Sequence, residues 1–157
     1  MTKKEIKITY TEFDDIAQMS AEDQVLVKEA IKATEGSYAP YSNFHVGAAV
    51  RLSDGTIVRG ANQENNAYPS GLCAERTAMF YANYSHPDQH MESLAIAASQ
   101  NGELCSKPIS PCGACRQVMA EYQRKGGNPI SIILYGSSSI MKFDSVEALL
   151  PYIFDAI

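Results

Sequence analysis

The sequence predicts an α/β fold, with a single sheet sandwiched between helices. Three observations predict it. Segments of helical spacing and β-like segments interleave in the order α-β-β-α-β-α-β-β-α. Two of the β segments, Leu94–Ala98 and Ile130–Tyr135, are short apolar runs suited to burial on both faces. The chain has 157 residues, 45% apolar and 20% charged, which suits one domain whose core needs no disulfide staples.

Each element has its own signal. Ile6, Ile8 and Tyr10 alternate with polar residues, as in a short strand. Ser20-Ala-Glu-Asp supplies a capping hydroxyl and first-turn acids. Val25, Leu26, Ala30 and Ile31 continue that helix, and Gly36 stops it. Residues 37–43 form a loop. Phe44–Leu52 and Thr56–Ala61 flank the turn Ser53-Asp-Gly55 as a hairpin. Residues 62–71 are polar and irregular. Cys73–Tyr84 reads as a helix with Met79 and Phe80 as its apolar contributors. After the Leu94–Ala98 strand, residues 101–111 form a loop. Cys112–Lys125 is a helix ended by Gly126-Gly127. Ile140–Phe143 pairs back on Ile130–Tyr135, and Ser145 caps a last helix carrying Leu149 and Leu150, with Pro151 inside it.

Charge and composition exclude several roles. A net charge of −5 with no basic run disfavours a nucleic-acid polymer as partner. No apolar run is long enough to cross a bilayer, and no apolar stretch follows the N-terminal lysines. A cytoplasmic protein acting on a small neutral molecule is the expectation. In that compartment four cysteines read as metal ligands or redox groups rather than disulfides.

The chemistry lies in two short segments, Cys73-Ala-Glu-Arg76 and Pro111-Cys-Gly-Ala-Cys115. Each sits where a loop becomes a helix. Cys112 and Cys115, three apart, share a helical face. Helix N-termini carry unsatisfied N–H groups and positive potential, which lower a thiol's pKa. If the two helix starts are neighbours, three thiolates converge on a site suited to Zn²⁺. The fourth corner then takes water, and zinc lowers that water's pKa. Glu75, two residues from Cys73, sits beside the water without being a ligand, where a proton shuttle is needed. Arg76 and Arg116 directly follow these motifs and are candidates to donate hydrogen bonds to ligand sulfurs.

Other readings stand beside this one. A lone Cys-x-x-Cys suits a thioredoxin-like redox pair, but leaves Cys73 and Glu75 without work. Cys105 could complete a structural four-cysteine zinc site, and is otherwise a free thiol or a packing residue. His86 and His90 are separated by Pro87 and read as an exposed turn.

Further motifs extend the pattern: Tyr-Ala-Pro-Tyr-Ser-Asn-Phe (38–44), Val-Gly-Ala-Ala (46–49), Asn-Gln-Glu-Asn (62–65), Cys-Ala-Glu-Arg-Thr-Ala (73–78), Ser-Pro-Cys-Gly-Ala-Cys-Arg-Gln-Val (110–118) and Leu-Leu-Pro (149–151). With them the chain resembles the small homotetrameric zinc-dependent cytidine deaminases. The resemblance implies a three-layer α/β/α sandwich around a mixed five-stranded sheet. It implies one domain over 1–157, with residues 1–20 as an N-terminal extension. Cys73, Cys112 and Cys115 match the ligands of one zinc per subunit, and Glu75 matches the proton shuttle. Asn62 and Glu64 match the pair that holds the ribose 3′-hydroxyl, and Phe44 the aromatic against the base. The Ala74 backbone and the Ser110 carbonyl match contacts to the pyrimidine and the leaving amine. Tyr68 and Phe154 match aromatics near a subunit interface. Asn66 departs from the small residue usual there. The implied reaction is hydrolysis of free cytidine and deoxycytidine to uridine and deoxyuridine by zinc-activated hydroxide. A blasticidin S-type deaminase and a non-catalytic zinc scaffold are the rival functions.

Overall fold

The computed structural model describes residues 1–155, so the last two positions of the expected 1–157 domain lie outside the described residues. The strands are β1 (Thr11–Phe13), β2 (Phe44–Leu52), β3 (Ile57–Ala61), β4 (Met91–Gln100), β5 (Glu103–Leu104), β6 (Ser131–Tyr135) and β7 (Ile140–Phe143). The helices are α1 (Ala21–Ala33), α2 (Ala74–Ser85) and α3 (Gly113–Gly126). One sheet runs in the order β1-β7-β6-β4-β2-β3, with β5 paired to the end of β4. The β4–β6 pair is parallel and the other pairs are antiparallel, so the sheet is mixed.

Alternation along the central strands divides the core. Ala48, Val50, Leu94, Ile96, Ile132 and Leu134 point to the face covered by α2 and α3. Ala49, Ala95, Ala97 and Ile133 point to the opposite face, against Leu26, Val27 and Ala30 of α1. The three-layer α/β/α sandwich follows from this division.

Among the described residues the sheet has seven strands, not the expected five. Alternation signalled the N-terminal one but placed it at Ile6–Tyr10, where no strand forms, and β5, with two residues, is too short for periodicity to reveal. β5 folds back on β4 through Asn101 (φ 55°) and Gly102 (φ 83°), the left-handed pair that a two-residue hairpin requires. The N-terminal strand starts at Thr11, after the Ile6–Tyr10 alternation, and pairs with β7 while the Tyr10 ring packs 5.4 Å from that of Phe143. The last expected helix is a single 3₁₀ turn, Val146–Ala148, capped by the Ser145 hydroxyl as its sequence suggests but cut short before Pro151. Met79 is buried in the core, whereas Phe80 is 41% exposed and meets the Tyr122 ring at the edge.

Caps set the helix starts. Ser20 Oγ accepts from Asp23 N at 3.2 Å, and the Asp23 carboxylate then pairs with Lys142 (2.5 Å) and Arg51 (3.5 Å) across the sheet. Burial alone would raise the Asp23 carboxyl; these two cations and the Ser20 hydrogen bond outweigh it and hold it below its usual value. Gly127 ends α3 in the left-handed conformation (φ 67°). Gly60 on β3 lets α2 lie directly on the strand, since a Cβ there would stand 2.4 Å from Ala78 N and 2.8 Å from Ala74 O. The first turn of α2 is thereby seated against the sheet.

Candidate active site

Cys73 and Cys112 are the N-cap residues of α2 and α3, and Cys115 sits buried in the first turn of α3. Both helices cover one face of the sheet, which brings their first turns together. Cys73 Sγ lies 3.8 Å from Cys112 Sγ, Cys112 Sγ lies 3.5 Å from Cys115 Sγ, and all three sulfurs fall within 4.8 Å of one another. A tetrahedral ion with Zn–S bonds of about 2.3 Å spaces its sulfurs about 3.8 Å apart. The cluster fits one Zn²⁺ on this geometry, and its three soft donors suit that ion. Among the described residues Cys105 is not part of the group; its backbone pairs with Ala98 and Ser137 instead.

The electrostatics fit thiolate chemistry. A hydrogen bond from Cys115 and others from Arg76 and Cys112 push Cys73 down to about 5 against the effect of burial. Cys115, paired to Cys73 and close to the Glu75 charge, is pushed up. Arg76 Nη2 donates to Cys73 Sγ at 3.6 Å. Arg116 does not reach a sulfur. Its Nε donates to Pro111 O (3.0 Å), its Nη1 to Leu149 O (2.7 Å) and its Nη2 to Ser110 Oγ (3.4 Å). The expectation of two arginines on the sulfurs therefore holds for one.

Glu75 is 4% exposed, in the first turn of α2 beside the thiols. Burial pushes its carboxyl above the usual carboxylate range, and the charge of Cys73 pushes the same way. A cavity of about 280 Å³ opens from Glu75 and is lined by Phe44, Asn62, Glu64, Cys73, Ala74, Ser110 and Cys112, with Val46, Ile96 and Ile109 as apolar walls. Sites for small organic ligands start at about 300 Å³. A wider cleft of about 490 Å³ continues outward past Glu64 to Tyr68, Leu72 and Arg76. Tyr68 (81% exposed) stands on its rim. Phe154 (68% exposed) does not join the site of its own chain; it lies against α3, where its carbonyl accepts from Gln117 Nε2 at 2.9 Å.

Asn62 and Glu64 are themselves held. Asn62 Oδ1 accepts from Val46 N (2.8 Å) and Ser37 Oγ (2.5 Å), and Nδ2 donates to Phe44 O (2.9 Å). Glu64 accepts from Tyr41 N (2.9 Å), Ser42 N (3.3 Å) and the Ser42 hydroxyl. The Ser42 and Tyr41 bonds hold its carboxyl below its usual value. Ser42 Oγ also accepts from Phe44 N at 3.1 Å, so one hydroxyl joins the carboxylate to the aromatic. Sequence reasoning gave Ser42 no role; its place inside the 38–44 motif was the available signal.

Residues 20–126 match the family described as the cytidine and deoxycytidylate deaminase zinc-binding region. The chain belongs to that deaminase family. A cytidine deaminase of Halalkalibacterium halodurans is 52% identical over 98 residues, covering 62% of this chain and 70% of that one. One from Sporosarcina psychrophila is 50% identical over 97 residues, covering 62% and 67%. Among solved structures, cytidine deaminase from Burkholderia pseudomallei superposes with a TM-score of 0.72 at 37% identity, covering 87% of this chain and 100% of that chain. The Mycobacterium tuberculosis cytidine deaminase gives 0.66 at 32% identity, covering 86% and 98%. These deaminases share its mixed sheet and helical layers, and the zinc-binding family region spans all three cysteines.

Proposed function

We propose that this chain is a zinc-dependent hydrolase that converts free cytidine and deoxycytidine, with water, to uridine and deoxyuridine plus ammonia. The observation that carries the reading is a buried glutamate beside three converged thiols, on the floor of a nucleoside-sized cavity. Held by Cys73, Cys112 and Cys115, zinc supplies hydroxide from water near neutral pH. Glu75 takes the proton that this water loses and delivers it to N3 of the pyrimidine, which makes C4 electrophilic. After the oxygen adds at C4, Glu75 takes that oxygen's remaining proton and carries it to the exocyclic amine, as the C4=O bond of the product forms. The C4–N bond breaks and ammonia leaves. A carboxyl raised by burial suits both the acceptance and the return of a proton.

The surrounding groups select the substrate. Phe44 packs against the base, Ala74 N–H binds its edge, and the Ser110 carbonyl accepts from the amine. Asn62 keeps one amide N–H after its bond to Phe44 O, and with the Glu64 carboxylate it reads the ribose 3′-hydroxyl. The negative Glu64 and the net charge of −5 disfavour phosphorylated or polymeric substrates. No described group is committed to the 2′-hydroxyl, so deoxycytidine also reacts. The named relatives, all cytidine deaminases, weigh against the blasticidin-type and scaffold readings.

The wider setting is also our proposal. Residues 1–157 act as one domain, with residues 1–20 as an extension whose β1 caps the sheet. The chain works in the cytoplasm as a homotetramer, in which Tyr68 and Phe154 meet a neighbour's site. Their exposure supports this, as does the free state of the cysteines. No described helix is long and apolar enough to cross a membrane. The test of the reaction is the ultraviolet change when zinc-loaded protein meets cytidine or deoxycytidine. Conversion by wild type and not by Glu75→Gln is expected; inert wild type overturns the assignment.

A further inference from the structure

Ile109 and Ser110 line the cavity, and the segment that carries them, residues 107–111, is poorly tied. Two of the five are proline, and among the described residues none makes a backbone–backbone hydrogen bond. One end of the segment is wedged by close packing: a Cβ at Gly136 would stand 2.6 Å from Lys107 C and Pro108 N. The other end, which carries Ser110 into the cavity and leads into Cys112, has no such wedge. Arg116 does that work with three donors. Nε reaches Pro111 O and Nη2 reaches Ser110 Oγ, while Nη1 reaches Leu149 O at 2.7 Å. Leu149 is a member of the buried core, so the guanidinium ties the loop to a fixed post. A planar guanidinium can serve three separated acceptors at once; an ammonium on a flexible stem cannot hold that fork.

We propose that Arg116 is a positioning residue for the deamination: it fixes the Ser110–Pro111 peptide beside the thiol cluster, so that the Ser110 carbonyl meets the amine as it leaves. This rests on the proposed cytidine reaction. The amine already donates to this carbonyl in the bound substrate, and the bond strengthens as the amine takes its extra proton and the C4–N bond breaks, so Arg116 acts on turnover more than on substrate capture. Misplacement of a reacting contact by an ångström costs up to about 100-fold in rate.

The test measures kcat, KM, zinc content and Tm for wild type, Arg116→Gln, Arg116→Lys and Asp23→Asn. Wild type must first deaminate cytidine; if it does not, the functional reading fails independently of Arg116. Given that activity, both Arg116 variants are expected to keep one zinc per subunit and a KM within about twofold, with kcat lowered about 10- to 100-fold. Asp23→Asn cuts an ion pair on the far face and is expected to lower Tm while leaving kcat unchanged, which separates positioning from general destabilisation. Wild-type kcat in Arg116→Lys overturns the proposal, because charge alone then suffices. So does loss of zinc from Arg116→Gln, or a fall in kcat in Asp23→Asn that matches the arginine variants at equal Tm.

Discussion

The starts of α2 and α3 follow one plan and do different work. Each has a cysteine at the N-cap and an arginine within the next four residues. In α2 the intervening position that turns inward is Glu75; in α3 it is Cys115, a further thiol. Arg76 lies three residues after Cys73 on the same helical face and reaches its sulfur. Arg116 leans back toward Pro111, whose carbonyl is free because its loop has no ladder to join, and onward to Leu149. A shared local grammar thus sets where the arginines start, and the neighbouring backbone decides where they end. One start moves protons and tunes charge, and the other supplies two thiols and fixes a wall.

The largest effect that could break this division comes from exchanging the two inward groups' chemistry. Glu75→Gln is expected to keep zinc and lower kcat by at least about 100- to 10,000-fold, whereas Cys115→Ser is expected to lose zinc on dialysis. Metal analysis beside the cytidine assay reads both, and zinc loss from Glu75→Gln would erase the distinction. Next, Arg76→Gln should weaken zinc retention about 10- to 100-fold, measured by competition with a chelator. Unchanged retention would mean that the 3.6 Å contact to Cys73 does not tune the cluster. Smaller still, Asn62→Ala should cost about 1–3 kcal/mol of stability in urea unfolding, since Val46 N–H and Phe44 C=O lose their partner. The smallest is Cys105→Ser, which should leave zinc content and kcat at wild-type values; metal release would bring Cys105 into the site.

Much of this was legible beforehand. The Ser20 cap, the hairpin at residues 53–55 and the helix punctuation at Gly126-Gly127 are local signals, and the structure keeps them. The cysteine spacing pointed to the cluster because Cys112 and Cys115, three apart, share one face of a turn, and Cys73 joins them once the two helix starts are neighbours. What was not legible depends on distance through space. Nothing near Arg116 in sequence names Leu149, 33 residues away, as its partner. β5 has only two residues, and its one clue, the Asn101-Gly102 turn, lay inside a segment read as loop. The final helix failed for a local reason: Leu149 and Leu150 are apolar, but Pro151 leaves no room for a second turn.

The seating of α2 on Gly60 has a further consequence, for evolution. A helix whose backbone rests on a strand cannot tilt to admit a bulkier base or sugar without opening the core. Variants with altered substrate range should therefore arise in the rim segments, residues 38–43 and 62–72, where side chains meet the cavity and no helix rests on a strand. The thiol-bearing turn of α2 would pass unchanged through such a series, and new selectivity would be written around a fixed reaction centre.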